Sequence, residues 1–278
     1  VIEVPQIYVT SKDFQQLFDL WKTIAQIPNH ALDISFSFRN CKFLAHSGVT
    51  FLGALYHWIE FRGGKCTFDL DTLDARILMN LRQNGFLQHL GYHQTAWTGN
   101  SIPYCIHKQK NKVNIYNYLS QEWLGRGWVD VARPLRNQII GKVMEIYNNA
   151  FQHSDSPIGI VSCGQHYPQK GRLHLALLDL GKGIPNTVRS LPENADLSSV
   201  EAMDWAFIPG NTTMSGLSCG QGLAVLHDFL QENQGELKIF SNNAYWRIKS
   251  GRVECTQQKV DFSGTFVNLE LRCETASR

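Results

Sequence analysis

Across residues 6–91, short runs of β-branched and aromatic side chains alternate with longer amphipathic runs. "QIYVT", "ALDISFSF" and "CTFDL" read as strands. "FQQLFDLWKTIA", "GVTFLGALYHWIEF" and "LDARILMNLRQNGFLQHLG" read as helices. Strands that alternate with helices build βαβ units, so this part of the chain predicts a mainly parallel sheet.

The pattern loses its period between about 92 and 118, where Gly, Pro, Asn and Lys mix with isolated aromatics. That stretch reads as a connection with room for one or two short strands. Further on, Leu135, Ile139, Val143, Ile146 and Ala150 recur at three- and four-residue spacing, and Ile140, Tyr147 and Phe151 widen the apolar face. The spacing predicts a helix packed against something large. "IGIVSC" and "LHLALLDL" follow as strands, then a Gly-rich turn, a long irregular stretch, a second helix and closing strands. The expected class is α/β: a βαβ block over 1–95, a linker over 96–124, and over 125–278 a helical layer on one face of a mixed sheet.

A chain of 278 residues with 43% hydrophobic content has room for two domains of common size. No run reaches the roughly 18 apolar residues of a membrane span, and the first residues lack the pattern of a secretory signal. A cytoplasmic location without a membrane partner is the expectation. A net charge of +2 is too near neutral to indicate nucleic acid. Seven cysteines without a C-x-x-C pair read as reduced, packed thiols rather than a disulfide frame or zinc site. The basic cluster "HKQKNK" at 107–112 is short and reads as a solvated loop.

Chemistry enters on the helix around 135–153. Glu145, Asn149 and His153 follow at i, i+4 and i+8, on a stripe distinct from the apolar face. Alone, such a stripe is more commonly a solvated surface. In "LLDLGKGIP", a strand ends in Asp179 and is followed by Gly181 and Gly183. A carboxylate there can accept a hydrogen bond from an exocyclic amine, and the glycines let a flat ring approach the backbone. An ordinary Asp-Gly turn has the same letters. In "SCGQGLAVLHDFLQEN", Gly220 and Gly222 open a helix whose unpaired N–H groups suit an anion. In "SGTFVNLEL", Gly264 and Thr265 lead a strand, where the Thr hydroxyl either supports Asp179, directly or through water, or is simply a strand former.

The order of these pieces, E-x-x-x-N-A, D-x-G-x-G, G-x-G-L and then G-T, resembles the GHKL ATP-binding family over roughly residues 125–272. The family is named for gyrase, the heat-shock chaperone, histidine kinases and MutL. The resemblance implies a Bergerat fold, a two-layer α/β sandwich, with ATP and Mg²⁺ as cofactors. By the same likeness Asn149 ligates Mg²⁺, Asp179 reads the adenine amine, and Gly181 and Gly183 shape the adenine pocket. Gly220, Gly222 and Leu223 lie at the phosphates, and Thr265 assists Asp179. The segment from about Asn186 to Ser218, containing "FIPGNTTMSG", is implied to be the ATP lid. Glu145, one turn before the metal-binding Asn, is the implied catalytic carboxylate, polarising a water for hydrolysis or a hydroxyl for phosphoryl transfer. His153 either approaches phosphate or only caps and packs. Lys182 departs from the small or polar residue expected in the Gly-rich turn.

The first 95 residues resemble a STAS domain, the fold of anti-sigma factor antagonists, with "KFLAHSGVTFLGAL" opening the second long helix. In that family a "D-S-S-G" turn carries a phosphoacceptor serine. Here the turn reads Ala45, His46, Ser47, Gly48, so Ser47 matches the acceptor but the acidic residue is absent; a plain helix N-cap is the other reading of Ser47. The two resemblances imply an ATP-driven conformational switch with slow hydrolysis. The alternatives are a serine/threonine kinase of the partner-switching type, acting on a STAS-like partner or on Ser47, and a module that holds ATP without turnover. Another protein, or a second copy in a homodimer, is the implied partner. No helical hairpin with a phosphoacceptor His precedes the ATP-binding block, which disfavours a sensor histidine kinase.

Overall fold

A computed structural model describes residues 1–92, 99–208, 211 and 222–273. Its first half contains β1 (Ile2–Glu3), α1 (Ser11–Ala25), β2 (Asp33–Ser37), α2 (His46–Phe61), β3 (Lys65–Asp69), α3 (Ala75–Gln83) and α4 (Phe86–His89). The strands form a parallel sheet in the order β1-β2-β3, as the alternation predicts. Two boundaries differ from the reading of the sequence. "QIYVT" is not a strand: Ile7 makes only an isolated bridge to Leu44. Thr10 and Asp13 instead form a capping box that starts α1, with the Thr10 N–H donating to Asp13 Oδ2 at 2.7 Å. The helix expected over 73–91 breaks into α3 and α4 at Gly85, whose φ of 75° no helix accommodates.

The stretch expected as a linker is structured where it is described. It supplies β4 (Ser101–His107), α5 (Lys112–Asn117) and a π-helical turn at Tyr118–Trp123. Ile115, Leu119 and Trp123 are buried in the core of the second half. After these come α6 (Arg133–His153), β5 (Ile160–Tyr167), β6 (Arg172–Asp179), α7 (Ile184–Arg189), α8 (Ser199–Phe207), α9 (Gly222–Asn233), β7 (Glu236–Lys249) and β8 (Arg252–Arg272).

The second sheet, in the order β4-β5-β6-β8-β7, is antiparallel throughout rather than mixed. Apolar alternation along a strand reports burial, not direction. Between β7 and β8 the connection is just Ser250 and Gly251, both at positive φ (50° and 71°), as a type I′ hairpin turn requires.

Both faces of this sheet are covered, where one helical layer was expected. On one face Val143, Tyr147 and Leu230 of α6 and α9 pack with Leu175, Leu177 and Leu269. On the other, Phe14, Phe18 and Phe51 of α1 and α2 pack with Phe240, Phe262 and Phe266, and ring centroids lie 4.4 Å apart for Phe14–Phe240 and 4.7 Å for Phe18–Phe262. Helix α2 lies between the two sheets and touches β3 on one side and β5 and β6 on the other. Every residue from His46 to Leu55 is buried, which explains why this helix is apolar on nearly all sides. Among the described residues no helix is long and apolar enough to cross a membrane, and the six described cysteines are free.

Candidate functional site

Strand pairing sets up the site. His107, Ile160, Asp179, Thr265 and Ser241 pair successively across β4, β5, β6, β8 and β7, forming one row at a single end of the sheet. Helix α6 also ends there, since only Ser154 to Gly159 separate it from Ile160. Above this row, on the α6 and α9 face, lies a cavity of about 580 Å³. Glu145, Asn149, His153, Asp179, Gly183 and Thr265 all line it. Leu177, Leu226, Ile239 and Val267 add apolar wall.

Asp179 is buried at the end of β6, and its Oδ1 accepts from the Gly181 N–H at 3.0 Å. Burial raises its carboxyl pKa from 3.8 to about 7, against the opposing pull of the Gly181 N–H. The two glycines after it serve different needs. Gly181 packs directly on the Ser154 carbonyl, where no side chain fits. Gly183 has φ 81°, and a Cβ there would meet Asn242 Oδ1 at 2.5 Å.

Thr265 stands opposite Asp179, but the hydrogen bond its hydroxyl makes is to Ser241 Oγ, at 3.1 Å. Ser241 is a residue that sequence reasoning missed. Its hydroxyl donates to the Gly264 carbonyl and accepts from the Ile184 N–H, both at 2.8 Å, tying the Gly-rich turn to β7 and β8. Asn242 adds an Nδ2 bond to the Lys182 carbonyl at 3.2 Å. The available signal was "SNN", three consecutive polar residues between the apolar pairs Ile239–Phe240 and Tyr245–Trp246 of one strand, at a bulge.

Along α6, Glu145 and Asn149 are exposed at the cavity. Glu145 Oε1 is ion-paired with Lys142 Nζ at 2.9 Å, and its side chain keeps 48% of its surface open. His153 is the last residue of α6; burial lowers its pKa, the nearby Lys182 lowers it further, and Asp155 opposes. Lys182 itself pairs with Asp155 at 3.0 Å at the surface.

The remaining expected residues fall partly outside the described ones. Helix α9 begins at Gly222, followed by Leu223, whose side chain is outside the description; Gly220 lies outside the described residues. The stretch expected to be a long irregular lid is partly helical. Its α8 brings Trp205 and Phe207 to the cavity, whereas 209–210 and 212–218 lie outside the described residues. Ser47 needs correction on both readings. Ala45 is the N-cap of α2, and Ser47 is fully buried on the sheet face opposite the cavity. No phosphoryl group reaches its hydroxyl in this arrangement. The cluster expected as a solvated loop is exposed over 108–112, and Lys110 and Lys112 also line the cavity.

No protein-family model matches this sequence, and no curated protein matches it.

Proposed function

We propose that this chain binds Mg²⁺-ATP in the cavity beside α6 and hydrolyses it slowly, as an ATP-driven conformational switch of the GHKL type. The observation that carries the reading is convergence: Glu145, Asn149, Asp179, Gly183 and Thr265, from three separated segments, line one cavity. Its volume of about 580 Å³ suits a cofactor-sized ligand. In this reading the Asp179 carboxylate accepts from the adenine amine, and the leucines and valine of the wall take the ring. Asn149 offers an amide oxygen to the metal. Among the described residues no group of three or more His, Cys, Asp or Glu side chains is arranged to hold a metal. That suits Mg²⁺, which keeps waters and phosphate oxygens and needs few protein ligands. When bound, the ion neutralises charge on the phosphate oxygens.

Glu145 is the proton acceptor in this account. Its carboxylate orients the attacking water and takes its proton, after parting from Lys142. A route from cavity to the N-terminal block follows from strand geometry. Leu178 and Phe266, the neighbours of Asp179 and Thr265, belong to the core shared with α1 and α2. A shift of the row therefore acts on both faces of the sheet.

The kinase alternative draws support from the exposure of Glu145, which leaves the carboxylate open to a hydroxyl of a separate protein. It requires an acceptor other than Ser47. One assay tests both: γ-labelled ATP and Mg²⁺ with wild type and Glu145→Ala, following phosphate released and label retained on protein. Release lost in the variant supports the switch, transfer to an added partner supports the kinase, and no binding of ATP by the wild type overturns both.

A further inference from the structure

We propose that Lys110, in the turn between β4 and α5, and Lys112, the first residue of α5, bind the phosphate groups of the ligand and make the cavity selective for polyphosphates. The inference rests on the ATP-binding reading and adds the residues that hold the charge. Both lysines line the same cavity as Glu145 and Asn149. They arrive there because β4 ends at His107, in the row that contains Asp179.

Charge pairing separates these lysines from the others nearby. Lys142 is paired with Glu145, and Lys182 with Asp155. Lys110 and Lys112 have no ion-pair partner among the described residues. Of the two carboxylates in the lining, Glu145 is matched by Lys142, and Asp179 is buried at the end of β6, where it takes the Gly181 N–H. The cavity thus presents two lysines without an ion-pair partner among the described residues, on flexible stems that suit a point-charge contact to phosphate. Converging cations at the wall of a cleft concentrate anions there. The ligand class is a nucleoside polyphosphate rather than a nucleoside or a neutral metabolite.

Titrations of Mg²⁺-ATP, Mg²⁺-ADP and adenosine into wild type and K110A/K112A, at low and high salt, test this. Lys108 is exposed and outside the cavity lining, so K108A serves as the control. The double variant is expected to bind Mg²⁺-ATP about tenfold more weakly, the scale of two partly solvated charge contacts. Its adenosine affinity matches wild type, and its ATP affinity depends less on salt. K110R/K112R restores ATP binding. Equal ATP affinity of wild type and K110A/K112A overturns the inference and leaves the ATP reading standing. Wild type binding none of the three ligands overturns both. Equal loss of adenosine and ATP affinity in the double variant also overturns the inference, because it marks a structural role.

Discussion

Asp179 and Thr265 face each other in register across β6 and β8, yet the Thr265 hydroxyl bonds Ser241, while the Asp179 carboxyl takes the Gly181 N–H at 3.0 Å. Burial outweighs the donors around this carboxyl, the Gly181 N–H, the Ser154 side chain and the Thr265 backbone, and its pKa rises from 3.8 to about 7. Between those values the folded protein holds a proton that the unfolded chain releases. The stabilising contribution is therefore complete below about pH 4 and is lost as pH rises through about 7. Asp179→Asn is expected to stabilise the ligand-free protein near pH 8, by at most about 4 kcal/mol, in urea unfolding. An amine donor favours the ionised form, so ATP affinity of the wild type rises from about pH 6 to 8. Identical stability of wild type and variant across that range contradicts the buried-carboxyl account.

Glu145→Ala removes a solvated carboxylate and its ion pair with Lys142. Stability is expected to change by less than about 1 kcal/mol. Affinity for Mg²⁺-ATP is retained, whereas turnover falls by about a hundredfold or more. Undiminished phosphate release in single-turnover measurements places the base elsewhere.

Gly183→Ala and Gly127→Ala separate strain from crowding. Both glycines have positive φ, 81° and 72°, but a Cβ at Gly127 meets nothing whereas one at Gly183 runs into Asn242 and Ser241. Gly127→Ala costs the left-handed backbone term, about 1 kcal/mol. Gly183→Ala costs more and loosens the turn behind Asp179. Equal losses in denaturant titrations would show that the turn has room to yield.

The junction of α2 with the second sheet is acid-labile. His46 Nδ1 lies 3.4 Å from Tyr167 Oη, and its ring centroid lies 5.0 Å from that of His174. Burial lowers the pKa of His46 from 6.5 to about 3. His174 is held well below its ordinary value, by burial and then by His46, Lys238, Lys170 and Arg172. Glu270 is the facing carboxylate, 3.7 Å from His174 and 3.2 Å from Arg172. Both rings stay neutral in the fold while the unfolded chain takes up protons below about pH 6.5. For His46 stability is thus fully present above that value and lost as pH falls toward about 3, at roughly 1.4 kcal/mol per pH unit, and His174 adds a loss of the same sign. Unfolding midpoints of His46→Gln and His174→Gln are expected to fall less steeply than wild type between about pH 7 and 5.

The parallel sheet and α6 were legible in the sequence because βαβ alternation and helical spacing are local signals. Layering was not. Nothing local states that Phe14, Phe18 and Phe51 pack on Phe240, Phe262 and Phe266, more than 180 residues away in the chain. Glu145, Asn149 and Asp179 could be found because helix stripe and strand end each leave a pattern. Ser241, Lys110 and Lys112 could not, since their role depends on which strand end and which turn meet the same cavity. Ser47 was misread for a related reason: a Ser at a helix start looks alike whether the start faces water or a second sheet.

The most direct measurement is equilibrium binding of Mg²⁺-ATP to wild type and Asp179→Asn near pH 8, with adenosine as competitor. The account predicts that wild type binds, that adenosine displaces the nucleotide, and that the variant binds about ten- to a hundredfold more weakly, the scale of one hydrogen bond to a charged group. Equal affinity of the two proteins, or no binding by wild type, contradicts it.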